Sequence, residues 1–246
     1  MKAWPSPRVR GWLWKQRRRW TRWPPVGHVS LGAIRRLQPI SREFGFDRGR
    51  PIDRYYIEWF LRAHAADIQG QVLEVGDDGY TRQFGDARVT RSDVLHVVEG
   101  NPRATLVGDL THAPHIASET FDCVICTQTL QFIFDVRQAI MTLNRILKPD
   151  GVLLATVPCI SQISRYDIDR WGEFWRFTSM SARRLFEETF PAGSVTIRAY
   201  GNVLAAVAFL HGLAAEDLSP SELDHVDDDY ELVIAIRARK AGDGSS

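Results

Sequence analysis

Apolar residues recur along this chain in short blocks of two periods, and the blocks alternate. Between Pro51 and Gly70, the residues Ile52, Tyr56, Trp59, Phe60 and Ala63 fall at helical spacing, with Gly70 as a stop. Residues 72–75 are a short apolar run that predicts a buried strand, and 89–93, 104–107 and 121–126 are three further strand candidates. From Asp135 to Lys148, Val136, Ala139, Ile140, Leu143, Ile146 and Leu147 form one stripe of a helix. Asp135 is placed to cap it, Lys148 suits its C-terminal end, and Pro149-Asp150-Gly151 stops it. Residues 152–157 read as a fifth strand and 181–190 as a helix that Ser179 or Ser181 caps. Residues 194–199 and 230–238 read as the last strands, with Val203–Leu210 a buried helix between them. Seven strands with interleaved helices predict an α/β fold around a mostly parallel sheet. Ligands of such sheets sit beyond the carboxyl ends of the strands, so the informative residues are those that follow each strand.

Composition changes the picture at one end. The 246 residues are 44% hydrophobic, which suits one soluble domain of roughly 200–250 residues or two small ones. Three cysteines exclude a disulfide framework and point to a reducing, cytoplasmic setting. The net charge of +1 hides a division: residues 1–42 hold 11 Lys/Arg and no acid, leaving 20 basic against 30 acidic residues in 43–246. The basic tail also carries Trp4, Trp12, Trp14, Trp20 and Trp23. It has no secretory-signal run, and no segment of the chain reaches the roughly 20 apolar residues that span a bilayer. On a helix over 9–23, Val9, Trp12, Leu13, Gln16, Trp20 and Trp23 share a face that Pro24 and Pro25 end. Such a basic amphipathic helix suits a membrane surface. The same segment also reads as a disordered tail or an arm for an acidic partner, this protein's own body included. Nucleic-acid binding is the weakest reading, since nothing else resembles a nucleic-acid module. The expected organisation is a tail over 1–42 and a domain over 43–246.

Three acids sit where strands are expected to end. Glu74 precedes Gly76, Asp93 follows 17 residues beyond Gly76, and Asp109 lies in Gly108-Asp109-Leu110. An acid about 20 residues after a glycine turn can accept hydrogen bonds from ribose hydroxyls, and the pattern fits a nucleoside-bearing cofactor.

The run VLEVGDDG and the block FDCVICTQTLQFIFDVRQAIMTLNRILKPDGVLLATVP resemble the first motif and the fourth-strand, helix and fifth-strand block of class I S-adenosylmethionine-dependent methyltransferases. The resemblance is closest to the group with the methyltransferase 11-type domain, and covers 50–158 well and 159–238 loosely. It implies a Rossmann-like seven-stranded sheet with helices on both faces, the last strand antiparallel. It implies S-adenosylmethionine as cofactor, with Gly76 under the methionine part and Glu74 supporting that turn. Asp93 matches the ribose acid, Asp109 and Leu110 flank the adenine, and Thr127 and Gln128 face the methyl group. In this sequence Asp78 and Tyr80 stand where the family's loop has its two later glycines, with Gly79 between them. If both positions keep φ > 0, they store about 1–3 kcal/mol of strain each.

Residues 161–178, within a lid expected over 159–180, mix charges with Tyr166, Trp171, Phe174 and Trp175. They fall where related enzymes place a substrate lid; the alternative is a structural helix packed through Trp171, Phe174 and Trp175. Tyr166 is the expected acceptor contact, and Asp167 or Asp169 the expected base for a hydroxyl acceptor. Cys123 and Cys126 are three apart on a strand, so they face opposite sides of the sheet. His112 and His115 flank Pro114, which prevents the helix that many zinc His pairs use. No metal set is expected. The functional expectation is methylation, through oxygen, of a small-molecule or glycan-type acceptor. The alternative is a non-catalytic module of the same fold, recruited to an acidic surface by its tail.

Overall fold

The computed structural model describes Pro24, residues 28–191 and residues 193–242. The chain divides into two units, 1–39 and 40–246. The described part of the first holds one 3-10 turn, Gly32–Ile34. The amphipathic helix expected over 9–23 lies outside the described residues.

The second unit opens with helix α1 (Ile52–Ala63) and strand β1 (Gly70–Val75). Helix α2 (Gly79–Gly85), strands β2 (Val89–His96), β3 (Leu106–Val107) and β4 (Phe121–Thr127), helix α3 (Val136–Ile146) and strand β5 (Leu147–Pro158) follow. The short helix α4 (Arg165–Ile168), α5 (Ser179–Glu187), β6 (Val195–Tyr200), α6 (Val203–Leu210), α7 (Pro220–Asp224) and β7 (Val233–Arg239) complete it. The sheet runs β3-β2-β1-β4-β5-β7-β6. β7 is antiparallel to both β5 and β6, and the other pairings are parallel. This is the Rossmann-like arrangement expected.

The apolar runs became strands because both faces of this sheet are covered. On one face, α1 packs Ile52, Tyr56 and Phe60 with Cys123, Ile125 and Tyr200. On the other, α3 packs Val136, Ile140 and Leu143 with Val124, Cys126 and Leu153. Cys123 and Cys126 therefore face opposite layers, as strand geometry requires. Burial pushes the Cys126 thiol up to about 12 and Cys123 in the same direction, so both are packing residues.

Tertiary partners moved several boundaries. α1 stops at Ala63, and a 3-10 turn (Ala65–Asp67) follows. That turn is fixed by Arg237 of β7, which donates twice to the Asp67 carboxylate at 2.8 Å. Gly70 thus opens β1 instead of ending the helix. Asp135 does cap α3, accepting from Gln138 N. Lys148, expected at that helix's end, is already in β5 and pairs with Asp122 at 2.7 Å. α5 begins at Ser179 with Thr178 as its cap: Thr178 Oγ1 accepts from Ser181 N, and Ser181 Oγ accepts from Thr178 N. Among the described residues, no helix is long and apolar enough to cross a membrane.

Candidate functional site

β1 ends at Val75, and Gly76 turns the chain at φ +99°. Its N–H donates to Leu95 O, and its carbonyl accepts from Asn101 Nδ2. A Cβ at Gly76 would meet nothing within 4 Å. Glycine is needed for the backbone angle, and the space beyond it is open. Glu74 holds the loop from below. It is 2% exposed; its carboxylate accepts from Thr81 N and Thr81 Oγ1 at 2.7 Å and from Tyr80 N at 3.2 Å. Burial pushes its pKa up to about 7, against the opposing effect of those hydrogen bonds.

The strain expected at the two substituted glycine positions is absent. Asp78 has φ −119° and immediately precedes α2, while Tyr80 is inside that helix and stacks on Phe84. The Asp78 carboxylate pairs with Arg82 and Arg103 and does not line the cleft. Gly79 is the first residue of α2 and does not line it either.

Asp93 is also corrected. β2 continues to His96, so Asp93 lies three residues inside the strand and 2% exposed. Its carboxylate accepts from Gln71 Nε2 at 3.1 Å, Thr105 Oγ1 at 2.9 Å and Arg91 Nη2 at 3.1 Å. It ties β1, β2 and the approach to β3 together. His96 occupies the strand end instead, edge-on to Trp171 with ring centroids 6.2 Å apart.

Beyond the carboxyl ends of the strands lies a cleft of about 830 Å³. Gly76, His96, Asp109, Leu110 and Gln128 line it, as do Arg170, Trp171 and Phe174 from the segment after β5. Asp109 Oδ1 accepts from Thr111 N. Gln128 has φ +47°, with its N–H bonded to Thr156 O. The side chain of Thr127 lines no cavity here; its carbonyl accepts from Thr129 Oγ1. The volume, the open cradle at Gly76 and the mix of apolar and polar edges fit a nucleoside joined to a small zwitterion.

A second cavity of about 400 Å³ adjoins the cleft. Gln128, Phe132 and Asp167 line both. Phe44, Phe46, Asp53 and Arg54 come to it from before and within α1, residues between Ser161 and Glu173 line it with Gln131 and Pro158, and Phe209, Leu232 and Val233 reach it from α6 and the start of β7. Burial pushes the Asp53 carboxyl up, and the adjacent Arg54 opposes that shift. The segment after β5 is not one structural helix. Only α4 is helical, with Ser164 as its cap; Glu173 accepts from Ser164 N and pairs with Arg176. Trp175 Nε1 donates to Ile133 O at 3.0 Å.

The three expected acceptor-side residues separate. Asp167 borders both cavities and accepts from Ser164 Oγ at 2.5 Å. Tyr166 lines the smaller one but is 66% exposed, its ring under the Arg170 guanidinium at 3.5 Å. Asp169 is exposed, pairs with Arg165 at 3.6 Å and lines neither. Sequence reasoning missed His96, Gln131, Glu173 and the Asp53–Arg54 pair. The apolar pair Val94-Leu95, which continues the strand past Asp93, was the one available signal, for His96.

Residues 57–155 match a family model described as a methyltransferase domain. No curated protein matches the chain. Among solved structures it is similar to an S-adenosylmethionine-dependent methyltransferase from Mesorhizobium loti, with 14% identity, 75% of this chain and 98% of that one covered, and a TM-score of 0.51. A methyltransferase of the same description from Archaeoglobus fulgidus gives 12% identity, 76% and 94% coverage and a TM-score of 0.50. The [4+2]-cyclase SpnF gives 16%, 79%, 85% and 0.51. At these identities the likeness is one of fold.

Proposed function

We propose that this chain, whose residues 57–155 are a methyltransferase domain, is an S-adenosylmethionine-dependent methyltransferase that methylates a hydroxyl of a small-molecule or glycan-type acceptor. The observation that carries the reading is the pair of cavities meeting at Gln128, Phe132 and Asp167. One has the size and edges for the cofactor, the other adjoins it where an acceptor would lie. Gly76, His96, Asp109 and Leu110 would hold the cofactor, which supplies an activated methyl group on a sulfonium. Arg170, Trp171 and Phe174 restrict water at the cleft. Holding the acceptor in line contributes about 7–11 kcal/mol through proximity. Asp167 takes the proton of the acceptor hydroxyl, adding about 10²–10⁴-fold; Ser164 keeps its carboxylate in place. Tyr166 is an outer contact in this reading, and Asp169 has no part.

Titrating S-adenosylmethionine into the wild type and Gly76→Val tests the reading. Binding in the wild type and at least tenfold weaker binding in the variant are expected, because valine is strained at φ +99° and fills the cradle. No heat at millimolar cofactor overturns it in favour of the non-catalytic module. We propose further that residues 1–42, with 11 basic residues and no acid, dock the protein on an anionic membrane or an acidic partner, since each basic residue near an anionic leaflet adds about 1 kcal/mol. Replacing Arg17, Arg18, Arg19 and Arg22 by Glu abolishes salt-sensitive binding to phosphatidylserine vesicles if the surface is a membrane.

A further inference from the structure

We propose that the 400 Å³ cavity is a subsite for a neutral, polyhydroxylated ring such as a pyranose, and that Gln131 reads its hydroxyls; the assignment of that ring as acceptor rests on the methyltransferase reading above.

The cavity wall carries both kinds of unpaired polar atom. Gln131 is 4% exposed. Its Nε2 is committed to Gln128 O at 2.9 Å, which fixes the amide and leaves Oε1 as an acceptor with no protein partner. Gln128 Nε2 and Arg54 Nη1 are buried donors without hydrogen-bond partners. A carboxylate ligand would satisfy only the donors, and an ammonium only the acceptor. A hydroxyl donates and accepts, so a ring bearing several satisfies both.

The charges around the cavity point the same way. Asp53 faces Arg54, Glu173 is paired with Arg176 and Arg165 with Asp169, while Arg42 and Glu43 bring one charge of each sign. The remaining lining charge is Asp167, held by Ser164 Oγ, which is the base for the acceptor hydroxyl in the reading above. Phe44 and Phe46 supply apolar faces against which the C–H side of a sugar ring packs. The volume lies in the lower part of the roughly 300–1,000 Å³ range of ligand sites, which suits one or two rings.

Gln131 belongs to the methyltransferase domain, whereas Phe44, Phe46 and Arg54 precede it and Arg165 to Glu173 follow it. The subsite thus combines residues from either side of the matched domain with Gln128, Gln131 and Phe132 from within it.

The test is saturation-transfer NMR on the full chain with S-adenosylhomocysteine present. The probes are the methyl glycosides of glucose, mannose and rhamnose, with glucuronate and glucosamine as charged counterparts. At least one neutral glycoside receives saturation, and the charged sugars bind about tenfold more weakly, because at the replaced position a carboxylate cannot donate to Gln131 Oε1 and an ammonium cannot accept from Gln128 Nε2 or Arg54 Nη1. Gln131→Met weakens glycoside binding about tenfold while its affinity for S-adenosylhomocysteine stays within about twofold, which also reports that the variant is folded. Absence of transfer to every neutral glycoside in the wild type overturns the proposal, as does equal binding of the charged sugars or a Gln131→Met variant that binds glycosides unchanged. Failure of S-adenosylhomocysteine to bind the wild type sinks the methyltransferase reading instead; glycoside transfer is then still read in its absence.

Discussion

Glu74→Gln separates the energetic role of the loop's buried carboxylate from its shape. The folded protein holds Glu74 at about 7, against 4.5 for the free side chain. Below about pH 4.5 the carboxyl is protonated in both folded and unfolded chains, and its contribution to stability is fully present. As pH rises, the unfolded chain loses this proton first, so folding becomes progressively less favourable until the folded carboxyl has also ionised above about pH 7. At about 1.4 kcal/mol per pKa unit, the interval is about 3 kcal/mol. Glutamine keeps one acceptor, which serves either the Tyr80 or the Thr81 amide; with its oxygen toward Tyr80, the Thr81 hydroxyl can rotate to accept from the new amide. The variant therefore loses the titration but keeps most of the loop. Urea unfolding followed by tryptophan fluorescence, at steps from about pH 4.5 to pH 8, measures both proteins. The wild type loses about 3 kcal/mol relative to the variant over that span, or roughly 6–12 °C in Tm for a domain of this size. Stability curves that stay parallel within about 0.5 kcal/mol would refute the burial argument.

Three further outcomes follow from the same geometry. Asp93→Asn destabilises the protein by about 1–3 kcal/mol, because it weakens the bonds to Gln71, Thr105 and Arg91, yet leaves S-adenosylmethionine affinity within about threefold by calorimetry. His96→Ala does the reverse, weakening cofactor binding while melting within about 2 °C of the wild type. Asn202→Ala lowers stability by about 2–4 kcal/mol in denaturant titration, since Asn202 is 5% exposed, caps α6 through Ala205 N and donates to the Glu222 and His225 carbonyls.

The strands, α3 and its Asp135 cap were legible because each is a local pattern: parallel strands covered on both faces read as unbroken apolar runs, and a cap needs only its neighbours. Asp93 misled for the opposite reason. Its spacing from Gly76 suggests an acid at a strand end, and here it is a buried strand residue satisfied by Gln71 from β1 and Thr105 before β3. Nothing within five residues of Asp93 announces Gln71 or Thr105. At Asp78 the glycine spacing of the family it resembles left a positive φ open, whereas the chain enters α2 directly from an ordinary backbone angle. The smaller cavity was illegible altogether, since Phe46, Gln131 and Glu173 meet only after the sheet has formed. Asp167 and Asp169 could not be told apart until α4 turned one inward and gave the other to Arg165.

The wall of the smaller cavity draws on stretches on either side of the matched domain as well as on Gln128, Gln131 and Phe132 inside it, while the glycine turn and strand ends of the cleft lie within it. The two halves of the proposed reaction therefore draw mainly on different stretches of polypeptide and share Gln128, Phe132 and Asp167. Insertions, deletions or exchanges over 42–54 and 161–173 can retarget the acceptor without disturbing the sheet or the Gly76 turn. A chimera carrying both stretches from another protein of this fold would change what is modified and leave the methyl donor the same. Diversification of such enzymes needs no new core, only new walls.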